Sequence, residues 1–218
     1  MACGLLVSCS ASDDDGLEPP VADAEEIDTS PAIESEPPES EPGDPSDGDG
    51  DAQPIGDDEP LYAPLPELTP DPGNDIPDEL ERDVFAAYAD AYEVAFEAYA
   101  RGEADEERLA ATHFDEALTS VQETVSSLAD RGAVERSPDT TIDRVWITEA
   151  VGWIAIVREC YTTGPLTGQY DADSMELIHA APSGQFAQDS MIEMVRLDGE
   201  DVPQFRVTQI AAAGTEQC

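Results

Sequence analysis

A long acidic segment near the amino terminus most constrains what this chain can fold into. Between Ser10 and Glu79 lie 24 of the 51 acidic residues, 14 of the 18 prolines and no basic residue, because Arg82 is the first in the chain. Such a segment buries too little apolar surface to offset its chain entropy, and its like charges repel one another. The sequence therefore predicts a disordered, proline-rich acidic linker over residues 10–78 that serves as a stalk.

The remainder of the chain, residues 79–218, has the composition of one folded domain. It contains both tryptophans, both histidines, all five phenylalanines and five of the six tyrosines, together with all nine arginines. Aromatic side chains in this number are enough for a single hydrophobic core. We therefore expect one domain that begins at residue 79.

The formal net charge of −42 limits the classes of partner. Nucleic-acid binding depends on basic side chains that neutralise phosphates, and this chain has nine arginines and no lysine. Nucleic acid is therefore not expected as a partner, and anionic lipid headgroups are disfavoured for the same reason. An acidic surface of this kind is typical of a solvated face.

One acidic tract of the linker matches part of a calcium-loop pattern. Asp47, Asp49, Asp51 and Asp58 take positions 1, 3, 5 and 12 of that pattern. Ala52 stands where the loop needs glycine, and no helices flank the tract, so we predict an unstructured segment without a metal. The chain also lacks GxSxG, HExxH, GxGxxG and P-loop motifs, and no cofactor is expected.

The first nine residues resemble the end of a bacterial lipoprotein signal. Leu6-Val7-Ser8-Cys9 is similar to the lipobox of that family, and the chain turns polar at Ser10. The resemblance implies cleavage before Cys9, diacylglycerol on its sulfur, and an extracytoplasmic protein anchored to the membrane by lipid. Residues 1–9 would be the remnant of a longer signal whose start codon lies upstream. The alternative is a soluble protein with an apolar start.

No run of about 18 or more apolar residues occurs, so no membrane-spanning helix is predicted. Membrane attachment would depend on the lipid alone, and durable anchoring needs two or more acyl chains. Lipoprotein-type modification supplies them.

Two cysteines, Cys160 and Cys218, fall inside the predicted domain. In an exported chain this pair favours a disulfide, which would close a loop of about 58 residues and stabilise the domain by roughly 4 kcal/mol. A zinc site is disfavoured because neither cysteine has a CxxC partner and His113 and His179 lack ligand spacing. Two free thiols are the alternative if the chain is not exported.

The domain starts with a helical pattern. Apolar residues recur every three or four positions from Leu80 to Tyr99, which predicts an amphipathic helix with Asp78 as N-cap and Gly102 as its end. A second helical region over residues 104–131 follows the same spacing and is expected to break near Thr112.

From Val134 the apolar period changes to two, which is typical of strands. We predict two hairpins and one short strand, with boundaries at residues 142–149 and 153–161, 189–197 and 204–210, and 175–179. Helices followed by antiparallel strands indicate an α+β fold, with the amino-terminal helices packed on a curved antiparallel sheet.

This order of elements resembles the nuclear transport factor 2-like cone fold, which includes ketosteroid isomerase-like enzymes and occurs in many small bacterial lipoproteins. The resemblance rests on Glu159-Cys160 at a strand end, on Phe205-Arg206-Val207 before Cys218, and on residues 99–105 between two helices. It implies a cone that is used by acid–base enzymes and also by many proteins without catalytic activity.

Four residues are candidates for acid, base or hydrogen-bond donor groups inside such a cone: Asp143, Glu159, His113 and Tyr92. Spacing alone does not bring them into one pocket. His113 is also explained as a helix-face histidine among apolar neighbours, and Tyr92 as one member of an aromatic core stripe.

Three functions remain open from the sequence. The first is a non-catalytic envelope lipoprotein that binds a small apolar ligand or an envelope protein partner, and the second is an enzyme of isomerase or dehydratase type. The third is an assembly factor whose cone is filled by side chains. The sequence favours the first or the third. A deep pocket with a desolvated carboxylate would favour the enzyme, and an empty apolar pocket would favour ligand binding.

Overall fold

The structure of the protein, a computed structural model, describes residues 60–197 and 202–218. Within them, helices come first and antiparallel strands follow, so the predicted α+β fold is confirmed. The signal remnant 1–9 with Cys9 lies outside the described residues, as do the linker residues 10–59 and their acidic tract. No helix of the described part is long and apolar enough to cross a membrane.

The helices are α1 (Asp78–Arg101), α2 (Glu106–Thr112) and α3 (Asp115–Asp130). Pro77 occupies the N-cap position of α1, so Asp78, predicted as the cap, is the first helical residue. Acidic residues in the first turn and Arg101 in the last turn complement the helix dipole. Gly102 ends α1 with a φ of 66°, a left-handed conformation that glycine adopts without a Cβ clash.

The predicted break in the second helical region is confirmed at His113 and Phe114. His113 is the C-cap of α2, and Phe114 precedes the first residue of α3. The backbone N–H of Phe114 donates to the carbonyl of Val207 over 2.9 Å. The helix break therefore pairs with the edge of the last strand, which fixes where α2 and α3 sit on the sheet.

Strands follow in the order β1 (Ala133–Arg136), β2 (Thr141–Val151), β3 (Ile154–Thr163), β4 (Gly168–Asp171), β5 (Leu177–Ala180), β6 (Gly184–Val195) and β7 (Gln204–Ala213). A four-stranded sheet has the order β2-β3-β6-β7, and a three-stranded sheet has the order β1-β4-β5. Both predicted hairpins are present as β2–β3 and β6–β7, and β5 overlaps the predicted short strand. The pairing is antiparallel throughout both sheets.

The hydrophobic core lies between α1 and one face of the four-stranded sheet, which we call the inner face. On β3 this face carries Ala155, Val157 and Glu159, because alternate side chains of a strand point the same way. Val84 and Phe85 of α1 pack against it. Cys160 points to the opposite face and is bonded to Cys218, with the two Cα atoms 5.7 Å apart. The predicted disulfide is therefore present.

The domain begins earlier than predicted. Residues 60–77, which we call the strap, run over α1 instead of belonging to a free linker. Ala63 is only 1% exposed, and its carbonyl accepts a hydrogen bond of 2.8 Å from the Tyr92 hydroxyl. The Ser137 backbone N–H donates to the carbonyl of Leu61 over 3.1 Å. Residues 60–77 are thus part of the domain, which corrects the predicted boundary at residue 79.

Glu81 holds the second half of the strap. Its side chain is 1% exposed and accepts two hydrogen bonds, from the Asp71 backbone N–H at 2.9 Å and from the Asn74 amide at 2.8 Å. A buried carboxylate is tolerated when such donors satisfy it. The helix therefore fixes the strap through one side chain in its first turn.

Candidate functional site

A cavity of about 290 Å³ lies between α1, the inner face of the four-stranded sheet and the loops around β4 and β5. We call it the main cavity. The residues that line it are Tyr92, Phe96, Tyr99, Glu135, Ser137, Thr140, Ile142, Glu159, Tyr161, Thr163, Thr167, Ala181, Pro182, Phe186 and Gln188. A second cavity of about 240 Å³, the adjoining cavity, shares Tyr92, Phe96, Tyr99 and Gln188 with it.

Aromatic rings form the walls of the main cavity. On α1, the ring centroids of Tyr92 and Phe96 are 4.3 Å apart, and those of Phe96 and Tyr99 are 5.8 Å apart. Across the cavity, Tyr161 and Phe186 stack at 5.8 Å from neighbouring strands. The aromatic stripe of α1 therefore serves both the core and the cavity.

Glu159 is the buried carboxylate of the site. It points inward from β3, is only 4% exposed, and accepts a hydrogen bond from the hydroxyl of Tyr88. Burial raises the pKa of Glu159 to about 7, although the hydrogen bond from Tyr88 acts in the opposite direction. The carboxyl group can therefore gain or lose a proton near neutral pH.

The two tyrosines beside Glu159 stay protonated. Burial, and then the charge of Glu159, raises the pKa of Tyr88 well above its usual value and raises that of Tyr92 as well. The Tyr88 hydroxyl donates a hydrogen bond to Glu159, and the Tyr92 hydroxyl donates one to the strap carbonyl of Ala63. Both phenols thus act as fixed hydrogen-bond donors at physiological pH.

A second carboxylate, Glu135 on β1, lines the main cavity. Burial raises its pKa, and the charge of Arg131 partly opposes this shift. Among the described residues, no arginine or histidine lines the main cavity. The lining is therefore acidic, aromatic and hydroxyl-bearing, without a basic group.

Asp139 organises the loop at the cavity rim. Its carboxylate accepts hydrogen bonds from the Leu166 backbone N–H at 2.7 Å and from the Thr167 hydroxyl at 2.9 Å. The Thr140 and Thr167 hydroxyl oxygens are 2.8 Å apart. A side chain at Gly164 would collide with the Asp139 carboxylate, so this close approach requires glycine. The rim is thus held by contacts between the residues just before β2 and those just after β3.

Asp143 does not line the main cavity, so its prediction as a candidate group inside the cone was wrong. It is exposed on β2 and accepts a hydrogen bond of 2.7 Å from the Thr162 hydroxyl. The register of β2 shifts between Ile142 and Arg144, so a bulge at Asp143 breaks the alternation. Ile142 takes the inward position that simple alternation assigns to Asp143.

His113 lines the adjoining cavity and not the main one. It is 2% exposed, and its Nδ1 atom lies 2.9 Å from the Thr112 hydroxyl oxygen. Burial lowers the pKa of His113 to about 4, so the ring is neutral at physiological pH. Of the four candidates, the main cavity therefore brings together only Glu159 and Tyr92.

Sequence reasoning missed three polar members of the site. Tyr88 was visible in the aromatic stripe of α1, but periodicity describes it as core. Glu135 lies on a four-residue strand that carries no motif, and Gln188 faces Glu159 only through the β3–β6 register. None of these contacts can be read from local spacing.

The fold defines a helix-covered antiparallel sheet with a partly open cavity, and comparisons with known proteins add little to that description. A similar solved structure is the intermembrane space region of chloroplast protein ARC6, with a TM-score of 0.41 and 13% sequence identity. The alignment covers 60% of this chain and 94% of that one. No family model and no curated protein matches the chain.

In the described part of the chain, no group of three His, Cys, Asp or Glu side chains is arranged to hold a metal ion.

Proposed function

We propose that the protein is a lipid-anchored cell-envelope protein whose domain binds a small ligand in the main cavity. Glu159 carries this proposal, because its carboxyl group is buried beside open space that protein side chains do not fill. Ligand sites commonly measure about 300–1,000 Å³ and combine apolar walls with a few polar groups. A cavity of about 290 Å³ fits a ligand at the small end of that range.

The envelope location is supported by the disulfide and by the amino-terminal sequence. Structural disulfides persist in oxidising compartments outside the cytosol, and Cys160–Cys218 closes the sheet of this domain. Cys9 follows a lipobox-like stretch and would carry the lipid. The cone-fold resemblance belongs to the same proposal, since helices cover the inner face of an antiparallel sheet and leave a cavity between them.

The anchor is tested by expressing the full gene, including any upstream codons, in a bacterial host and fractionating the cells. We expect mass spectrometry to find a diacylated Cys9 in the membrane fraction and a Cys9→Ser variant in the soluble fraction. An unprocessed, unmodified amino terminus in the soluble fraction would refute the anchor.

Ligand binding is tested with the full chain carrying Cys9→Ser. Small neutral, cationic and anionic fragments are screened by ligand-observed NMR, and Gln188→Phe is used to fill both cavities. Gln185→Phe is the matched control, because Gln185 is exposed on the same strand. We expect Gln188→Phe alone to abolish binding. Equal binding by both variants would place the site elsewhere.

A second candidate function is acid–base catalysis of the isomerase or dehydratase type. The observation that favours it is the pKa of Glu159, which burial raises to about 7, beside the phenol of Tyr88. If the protein is such an enzyme, Glu159→Gln abolishes turnover while ligand binding persists. Turnover that survives in Glu159→Gln would remove this residue from any mechanism.

A further inference from the structure

The polar groups that line the main cavity are acidic or neutral, and none from the described part of the chain is basic. Two carboxylates, Glu135 and Glu159, line it, whereas no arginine or histidine does so among the described residues. The rest of the polar lining consists of hydroxyl groups and the amide of Gln188. An anionic ligand would meet no countercharge there and would be repelled by the two acids.

Glu159 has one carboxylate oxygen without a hydrogen-bond donor among the described residues. Its Oε2 atom accepts from Tyr88, but no described residue donates a hydrogen bond to Oε1. The side chain is 4% exposed and lines the main cavity. A carboxylate that borders such a cavity gains most from a donor that also carries positive charge.

The aromatic walls of the main cavity also favour a positively charged ligand. Faces or edges of Tyr92, Phe96, Tyr99, Tyr161 and Phe186 border the cavity. Aromatic rings attract organic cations through their quadrupoles, most strongly at desolvated sites. A metal cation is a poorer match, because no group of three His, Cys, Asp or Glu side chains in the described part of the chain is arranged to hold one.

From these features we infer that the main cavity binds a small organic cation, an ammonium group with apolar substituents, with Glu159 as its counterion and the surrounding rings as its cage. This inference rests on the proposed ligand-binding function. The net charge of −42 supports it independently, since a strongly acidic protein concentrates cations at its surface and speeds their association.

Binding of a cation should also displace a proton. Glu159 is partly protonated near neutral pH, and a neighbouring positive charge favours its ionised form. The other titratable groups around it are Tyr88 and Tyr92 from α1, Tyr161 on its own strand and Glu135 across the cavity. The tyrosines stay neutral near pH 7, so the released proton comes from the carboxyl groups.

The experiment is isothermal titration calorimetry on the full chain with Cys9→Ser, at physiological salt. Benzylamine, benzyl alcohol and benzoate are compared because each is a benzene ring with one small substituent, which is cationic, neutral and anionic in turn. Choline and 3,3-dimethylbutan-1-ol form a second matched pair. We expect each cation to bind at least about tenfold more tightly than its neutral counterpart, and benzoate to bind most weakly. Titrations in two buffers of different ionisation enthalpy should show proton release for the cations alone.

Variants identify the groups responsible. Glu159→Gln should weaken cation binding by about tenfold or more and leave benzyl alcohol unchanged. Phe186→Leu should weaken the cations several-fold while keeping the cavity apolar. Asp143→Asn removes one negative charge outside the cavity and should change neither, which controls for the overall charge of the protein.

The outcomes separate this inference from the function on which it rests. Tighter binding of benzyl alcohol or benzoate than of benzylamine, or cation binding that survives Glu159→Gln, would overturn the organic-cation inference and leave a ligand-binding cavity. Failure of every fragment in the NMR screen and of all five probes would overturn both.

Discussion

The hydroxyl of Tyr88 donates a hydrogen bond to Glu159, a residue 71 positions later in the chain, and both side chains are buried. This contact joins α1 to β3 at the inner edge of the main cavity. Among the described residues, Tyr88 is the one hydrogen-bond donor to the buried Glu159 carboxylate. The pair therefore links the stability of the domain to the chemistry of its cavity.

Replacement of Tyr88 by phenylalanine should destabilise the domain by about 1–3 kcal/mol, because the Glu159 carboxylate loses its donor while it stays buried. Loss of the hydrogen bond should also raise the pKa of Glu159 further. Urea unfolding measures the first effect. Tyr62→Phe is the control, since no described residue is hydrogen-bonded to the Tyr62 hydroxyl, and an equal loss in both variants would contradict the role of the pair.

The free energy of unfolding should depend on the titration of Glu159. Its pKa is raised to about 7 in the folded state, so the folded protein binds more protons than the unfolded chain between about pH 4.5 and 7. The contribution of Glu159 to stability is present below this window and is lost as the pH rises through 7, at up to about 1.4 kcal/mol per pH unit.

This dependence is isolated by comparing the wild type with Glu159→Gln. The difference in unfolding free energy between them should change across pH 4.5–7 and level off above it. Asp143→Asn, at an exposed site of the same sheet, should keep the wild-type pH profile. A constant difference between wild type and Glu159→Gln would show that the group does not titrate in this range.

His113 should make an opposite contribution on the acid side. Its folded-state pKa is lowered to about 4, so the unfolded chain binds more protons between about pH 6.5 and 4. Stability from the neutral ring is present above pH 6.5 and is lost as the pH falls through 4. In His113→Gln this acid-side loss should be smaller, as measured by thermal unfolding from pH 7 to 4. The exposed His179 offers the control variant His179→Gln, which should retain the wild-type profile.

Replacement of Glu81 by alanine should release the second half of the strap. The backbone N–H of Asp71 and the amide of Asn74 would lose their acceptor, at about 1–3 kcal/mol. Hydrogen–deuterium exchange should speed up over residues 71–76 more than in the sheet. Glu79→Ala, at an exposed position of the same helix turn, should leave exchange unchanged; unaltered protection of the strap in Glu81→Ala would mean that other contacts hold it.

Periodicity predicted the elements whose side chains repeat, and failed where one contact decides the structure. The stripe from Leu80 to Tyr99 placed α1, and alternating residues placed both long hairpins. Of the three four-residue strands, β1 and β4 were missed and only β5 overlaps a prediction, because four residues are too few to define a period reliably. The strap was missed because its few apolar side chains are diluted by prolines and acids, although Tyr62, Leu65 and Leu68 pack against the core.

The candidate site was partly predictable for the same reason. Glu159 lies on β3, whose unbroken register with β6 keeps the alternation that faces it inward. Asp143 lies at a bulge that moves it to the surface, and a bulge leaves no mark in the apolar pattern. The partner of Glu159 could not be predicted from the sequence, because a hydrogen bond between residues 71 positions apart depends on how α1 packs on the sheet.

The strap also determines which contacts of the domain a pulling force would reach first. Within the described residues, a pull toward the amino terminus acts first on the carbonyls of Leu61 and Ala63, which accept hydrogen bonds from Ser137 and Tyr92. These two partners line the main cavity, whereas the disulfide lies on the far side of β3. Tension would therefore break the strap contacts one after another and act on the cavity wall before it reaches the cross-linked sheet.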